Sequence, residues 1–225
     1  MKRFRKTIIL SMLLALTLCV GAQATENTML KVGLKYGSDA LFTARLQNYN
    51  DTLSGSGYEF GYYDADRSFV LLAATDEQRI TVTVDSNAYV SGGVCYETRP
   101  TNYSTILGAY HIELLTAFGS YEEALAVAQS YPKGFVAYID GAYRVRVGNH
   151  ASYDESARVL SETDVLAYGA QIVTPSSTGV VVSVTDTDTV LFEFDCSGLR
   201  SLGVRPRSVS GEKTVTWFSG YRYYG

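Results

Sequence analysis

The chain has 225 residues, 46% of them hydrophobic, and 18 tyrosines against one tryptophan. That is enough for one large or two small domains with a packed core. The formal net charge is −4; removal of the N-terminal leader read below takes Lys plus Arg from 19 to 15 against 23 Asp plus Glu, leaving about −8. A chain this acidic is a poor partner for nucleic acid or an anionic membrane surface, whereas a neutral or weakly charged polymer stays open to it. The tyrosines suit a surface that is half apolar and half wet, such as a sugar-binding or protein-binding face. They suit strand interiors equally well.

The leader comes first. MKRFRK is a basic start, TIILSMLLALTLCV an apolar run, and AQA before Thr25 a small-x-small cleavage site. Residues 1–24 therefore read as a signal peptide. The apolar run is short for a membrane span, so the expected location is secreted, wall-facing and without a stable span. Leu18 before Cys19 argues against a lipid anchor. From 29 to 107 the signals are β. KVGLKYG reads as a strand, GYEFGYY puts Tyr58, Phe60 and Tyr62 on one face, and RITVTVD alternates Ile80, Val82 and Val84 with Thr81 and Thr83. DALFTARLQN could form a short turn of helix.

The middle, 108–175, changes period. YHIELLTAF reads as a strand. In SYEEALAVAQSY, Ser120 and Glu123 have capping-box spacing, with Ala124, Leu125 and Ala128 on one side. Next comes GFVAYIDGAYRVRVG, where Asp140–Gly141 is a strong hairpin signal because a type I′ turn needs positive φ at both central residues. Ser152 and Glu155 in SYDESARVL repeat the capping box, and AQIV supplies a last strand. The order β-α-β-β-α-β is a split-βαβ, ferredoxin-like pattern. The predicted fold class is thus α+β: such a module inserted in, or flanked by, an antiparallel β domain. Two helices covering one sheet face would leave the other free, with Tyr143, Val145 and Val147 toward the helices and Arg144 and Arg146 on the open side. From 179 to 225 the chain returns to β and is expected to complete the N-terminal β domain, as in TVLFEFD and the aromatic end VTWFSGYRYYG.

Chemistry-bearing groups are sparse. Glu122–Glu123 is a carboxylate doublet, but neighbours on a helix diverge and Glu123 has a capping task. Asp64 and Asp66 read as a turn. His111 and His150 have no nucleophile motif around them. GSGYEFG opens no helix and is no dinucleotide loop, so no cofactor is expected. Cys95 and Cys196, the cysteines left after the leader, lack the spacing of a metal site. Outside the cell they could form a disulfide, although the sequence does not bring them within bonding distance. The guanidinium groups of Arg144 and Arg146 can donate several directed hydrogen bonds to sugar hydroxyls or carboxylates. Tyr138 adds a ring whose face depends on hairpin register. The plainer reading of the two arginines is ordinary strand polarity.

The segments FGSYEEALAVAQSY and AYRVRVGNHASYDESARVL resemble the SPOR domain, a small βαββαβ module of bacterial envelope proteins, over about Tyr110 to Val173. The resemblance implies binding to peptidoglycan glycan strands on the open sheet face. It places the family's sheet arginine at Arg144, puts Ala142 where an aromatic is frequent, and makes Glu113 the nearest polar substitute for a missing glutamine. The flanks LKVGLKYGSDALFTARLQN, GYEFGYYDADRSFVLL and WFSGYRYYG resemble the front part of secreted proteins of the stage II sporulation protein D/amidase-enhancer family. The segment that carries catalysis in that family has no counterpart here, so no catalytic residue is transferred. The expected function is therefore peptidoglycan binding through Arg144, Arg146, Glu113 and Tyr138, without catalysis. The alternatives are a truncated or divergent lytic transglycosylase and an envelope module that meets a protein partner.

Overall fold

The computed structural model describes residues 35, 37–48, 55–162, 169–197, 201–207, 216–219 and 223–224. The leader and most of the strand expected in KVGLKYG lie outside the described residues. The main unit is built on an eight-stranded mixed sheet. It contains β1 (Thr43–Gln47), β4 (Arg79–Val84), β8 (Tyr110–Leu114), β9 (Gly134–Ile139), β10 (Ala142–His150), β11 (Ala170–Val173), β12 (Val180–Val184) and β13 (Val190–Asp195). Their order across the sheet is β1-β4-β12-β13-β9-β10-β8-β11. A five-stranded sheet is formed by β2 (Tyr58–Tyr63), β3 (Phe69–Thr75), β14 (Leu202–Pro206), β15 (Thr216–Ser219) and β16 (Tyr223–Tyr224). A three-stranded sheet joins β5 (Ala88–Ser91), β6 (Val94–Tyr96) and β7 (Thr105–Leu107). The two helices among the described residues are α1 (Tyr121–Ala128) and α2 (Tyr153–Glu162). Neither is long and apolar enough to cross a membrane.

Local chemistry sets the middle elements. Ser120 accepts from the Glu123 amide at 3.2 Å and Glu123 reaches back to the Gly119 amide at 3.2 Å. Ser152 and Glu155 do the same at α2, with the Ala151 amide donating to Glu155. Both capping boxes thus supply acceptors for amides that have no helical partner. Asp140 (φ 45°) and Gly141 (φ 93°) form the two-residue hairpin between β9 and β10. Residues Thr43–Gln47, read as a turn of helix, instead form strand β1, preceded by a single 3₁₀ turn at Gly37–Asp39.

One face of the large sheet carries Ile80, Val82, Ile112, Val136, Tyr138, Val145, Val147, Val180, Val182, Phe192 and Phe194. Against it pack Ala124 and Ala128 of α1, and Tyr58, Phe60, Leu72, Leu202, Val204 and Phe218 of the five-stranded sheet. Phe60 and Phe192 stack across this layer with centroids 5.8 Å apart. The Tyr143 hydroxyl donates to the Leu72 carbonyl at 3.0 Å, and burial pushes the Tyr143 phenol up to about 12.

The predicted α+β class is corrected by this architecture: the protein is mostly β. The elements β8-α1-β9-β10-α2-β11 occur in the expected order, but they do not make a self-contained ferredoxin-like module with a free sheet face. Strand β9 pairs on its far side with β13 in parallel, which joins this segment to β12, β4 and β1. The cause lies in β9 itself. Phe135, Val136, Ala137 and Tyr138 are all buried, so both faces are apolar, as in a strand covered on two sides.

Candidate functional site

The second face of the large sheet was expected to be open and cationic. Register places Arg144 and Arg146 there with Glu113, His111, Glu193, Phe135 and Ala137. The arginines therefore share a face, as alternation requires, but they meet different surroundings. Arg146 retains 7% of its surface. Its Nε donates to Oε2 of Glu113 at 2.9 Å, and its Nη1 to Oε1 of Glu193. Gln171 Nε2 donates to the other Glu113 oxygen at 3.1 Å. Burial works against the charge on Arg146, yet Glu193 and Glu113 outweigh it and hold the guanidinium above its ordinary value. Arg146 and Glu113 are thus committed to each other and are not available to a glycan. Arg144 lies at the edge of this cluster, with Nη1 on the Leu115 carbonyl at 3.0 Å.

Tyr138 is on the opposite face. It is 8% exposed and stacks on Phe194 at 6.2 Å, with the Tyr143 ring edge-on at 5.0 Å. The hairpin register decides this, because Tyr138 pairs with Tyr143 and Arg144 with Ala137. Three of the four residues proposed for glycan contact thus share this face, but Arg146 and Glu113 form a buried ion pair there and only half-buried Arg144 keeps access to solvent, while Tyr138 lies within the apolar core on the other face. Cys95 and Cys196 form no disulfide. Cys95, on β6, packs with Ala88, Leu107 and Val181, while Cys196 belongs to the main core. Among the described residues no three His, Cys, Asp or Glu side chains are placed to hold a metal ion.

The buried cluster goes beyond the residues singled out from sequence. His111, 1% exposed, packs edge-on to Phe135 at 5.0 Å, and its Nδ1 lies 2.7 Å from the Gly148 carbonyl. Its Nε2 lies 3.9 Å from Oε2 of Glu193, which is fully buried. Asp85, just after β4, accepts from the Ser176 amide at 2.7 Å. Burial, and then the Glu193 charge, hold the Asp85 carboxyl well above the usual carboxylate range. These groups are sealed from any polymer outside.

An exposed chemical surface lies elsewhere, on the three-stranded sheet. Tyr89 pairs with Tyr96 on one side and Ile106 on the other, so all three side chains share a face. The opposite face of this sheet presents Ala88, Leu107 and Cys95 to Val181 and Val190 of the large sheet. The outer face therefore looks to solvent. Tyr96 is 42% and Tyr103 36% exposed, and Val94 beside them is 49% exposed. Tyr103 meets the Tyr89 ring edge-on at 5.3 Å, and the Arg99 guanidinium lies 5.2 Å from the Tyr103 ring centre. The result is a platform of aromatic rings and one guanidinium: Tyr89 and Tyr96 stand on paired strands about 5 Å apart at ordinary strand spacing, and Tyr103, carrying Arg99, reaches Tyr89 from the loop between β6 and β7. Sequence reading registered the tyrosine excess without placing it. The usable signal was local: Tyr89, Tyr96 and Tyr103 recur at every seventh position within a run of short strands separated by Gly, Pro and Asn.

Compared with family models, with curated proteins and with solved structures, the chain matches none.

Proposed function

We propose that this protein is an extracytoplasmic, non-catalytic module that holds peptidoglycan glycan strands, and that the platform of Tyr89, Tyr96, Tyr103 and Arg99 is its ligand face. The observation that carries the reading is the grouping of half-buried Tyr89 and exposed Tyr96 on the outer face of the three-stranded sheet with exposed Tyr103 and Arg99 of the adjoining loop, rather than their scatter as core filler. A sugar ring has an apolar C–H face and a polar rim. Tyrosine matches both with its ring and its hydroxyl, and Arg99 adds directed donors. A polymer of low charge density avoids the repulsion that an anionic ligand would meet on an acidic chain. The leader pattern and the SPOR resemblance of the middle segment support the compartment and the ligand class. They do not support the arginine face, because Arg146 and Glu113 neutralise each other in the interior.

The test is retention of the mature protein on purified sacculi, intact and after removal of stem peptides by an amidase. Retention should be kept or raised on stripped glycan and fall at least tenfold in a Tyr96→Ala/Tyr103→Ala variant with an unchanged fold by circular dichroism. Equal retention of that variant and the parent would remove the platform from the proposal. No retention of the parent on either material, with capture of an envelope protein instead, would replace the ligand class.

A further inference from the structure

We infer that the free edge of β3 docks an extended, basic peptide segment of another protein, which adds to the five-stranded sheet as a further strand. Strand β3 (Phe69–Thr75) ends that sheet, with β2 as its neighbour among the described residues. Its seven residues make it the longest edge strand described: β1 has five, β11 four, β6 and β7 three each, and β16 two. Its sequence, FVLLAAT, holds no charged residue, no proline and no glycine. Sheet edges are ordinarily blunted by charge, proline, shortness or a covering element, because an open row of amides and carbonyls is a template for another strand. Strand β3 has none of the first three, and Leu71 in its middle is 53% exposed.

Two residues aim their backbone outward. The Leu72 carbonyl accepts from the Tyr143 hydroxyl at 3.0 Å, so it points away from β2. Along a paired strand, backbone groups turn toward the neighbour at one residue and away from it at the next. Leu72 and Ala74 therefore present amides and carbonyls outward, while Ala73 and Thr75 turn theirs to β2, opposite Phe60 and Tyr58. Among the described residues the Tyr143 hydroxyl is the one partner on the outer edge. In front of it lies a cavity of about 320 Å³, at the lower end of the range for ligand pockets. Its far wall is Tyr143 and the start of α1, Ser120 to Glu122.

These walls select the occupant. Outward amides and carbonyls at alternate residues are matched by a second extended backbone, which offers both partners at the same repeat. Leu71, Leu72 and Tyr143 give apolar side walls. Glu122 is exposed and is the single charged residue among those lining the cavity. A lysine or arginine on the incoming peptide meets a counterion there, and an acidic peptide is repelled. The excess of acids over bases in the chain acts in the same sense at longer range. A second copy would bring FVLLAAT to the same edge, with no cation for Glu122. The site shares no residue with the tyrosine platform, so it stands or falls independently of glycan binding.

The experiment selects phage-displayed linear peptides on the immobilised mature chain, then measures the enriched sequences as free peptides by fluorescence anisotropy. They should alternate apolar residues and carry Lys or Arg. Ala74→Pro deletes an outward amide at a position where an edge strand tolerates proline. It should weaken binding by about tenfold or more, with the circular dichroism spectrum unchanged. Glu122→Lys should weaken the basic peptides, and Tyr96→Ala/Tyr103→Ala should bind them as the parent does. N-methylation of the peptide at alternate amides should disrupt binding in one phase and spare it in the other. The inference is overturned if selection enriches no peptide, or if a folded Ala74→Pro chain binds as the parent does. It is overturned equally if sedimentation shows a dimer of the parent that Ala74→Pro dissociates, which gives the edge to a second copy. Should Ala74→Pro fail to fold, the N-methylated peptides decide, since equal effects in both phases exclude strand addition.

Discussion

On the eight-stranded sheet, polar side chains at alternate positions turn inward and pair with one another. On the three-stranded sheet, tyrosines at alternate positions turn outward and meet solvent. Both regions obey the period of two that a strand imposes. Arg144, Arg146, Glu113 and His111 share a face by register, just as Tyr89, Tyr96 and Ile106 do. The difference lies in what the rest of the chain lays over them. Arg146 and Glu113 each retain 7% of their surface, against 42% for Tyr96. Alternation therefore decides sidedness, and tertiary covering decides which side can touch a ligand. The contrast places a stabilising ionic cluster on the arginine face, and the proposed function places recognition on the tyrosine face.

The strongest attempt to break that assignment is Arg146→Ala. The change leaves Glu113 and Glu193 buried without their shared cation. Removing one member of a buried ionic group costs about 3–5 kcal/mol, because the remaining charge is uncompensated. Urea denaturation should record a loss of that size, while glycan retention of whatever fraction stays folded is unchanged. Should Arg146→Ala cost nothing in stability yet abolish retention, the roles of the two faces would have to be exchanged.

The same contrast explains what could be read in advance. Capping at Ser120 and Ser152 and the Asp140–Gly141 hairpin were legible because each depends on a few adjacent residues. The inward set Tyr143, Val145 and Val147 was legible from period alone. The fate of Arg146 was not, because it rests on Glu193, 47 residues later in the chain. That contact exists because β13 pairs in parallel with β9, and Ala137 between them presents only a methyl group on this face. A hint was present in FVAYI, whose residues are apolar at successive and not alternate positions. The side of Tyr138, left to the hairpin register by the sequence, follows from the two-residue turn, which sets Tyr138 opposite Tyr143.

Asp85 tests the buried side at smaller amplitude and with the opposite sign. Its carboxyl is raised by burial and by Glu193, so its contribution to stability is intact below the ordinary carboxylate value of about 3.9 and is lost as pH rises through the folded value. At pH 8 the fold carries the cost of an ionised or forcibly neutral acid there. Asp85→Asn keeps an acceptor for the Ser176 amide and removes the charge. It should stabilise the protein by on the order of 1 kcal/mol at pH 8, and by less at pH 5. Thermal melts at the two pH values read the difference, and a destabilised variant at pH 8 would mean that the Asp85 charge is wanted where it is.

Arg144→Ala is the smallest effect and the sharpest use of the comparison, since Arg144 stands two residues from Arg146 on the same strand face. Its guanidinium donates to the Leu115 carbonyl at the surface, where water can take its place. Substitutions of this kind usually fall within about 0.5 kcal/mol. Stability should therefore be flat, against the large loss for its neighbour, and retention on stripped sacculi should match that of the parent. A fall in retention with stability unchanged would return the sheet arginine to the ligand. The glycan would then run along the rim of the large sheet, and the tyrosine platform would lose its claim to be the sole contact.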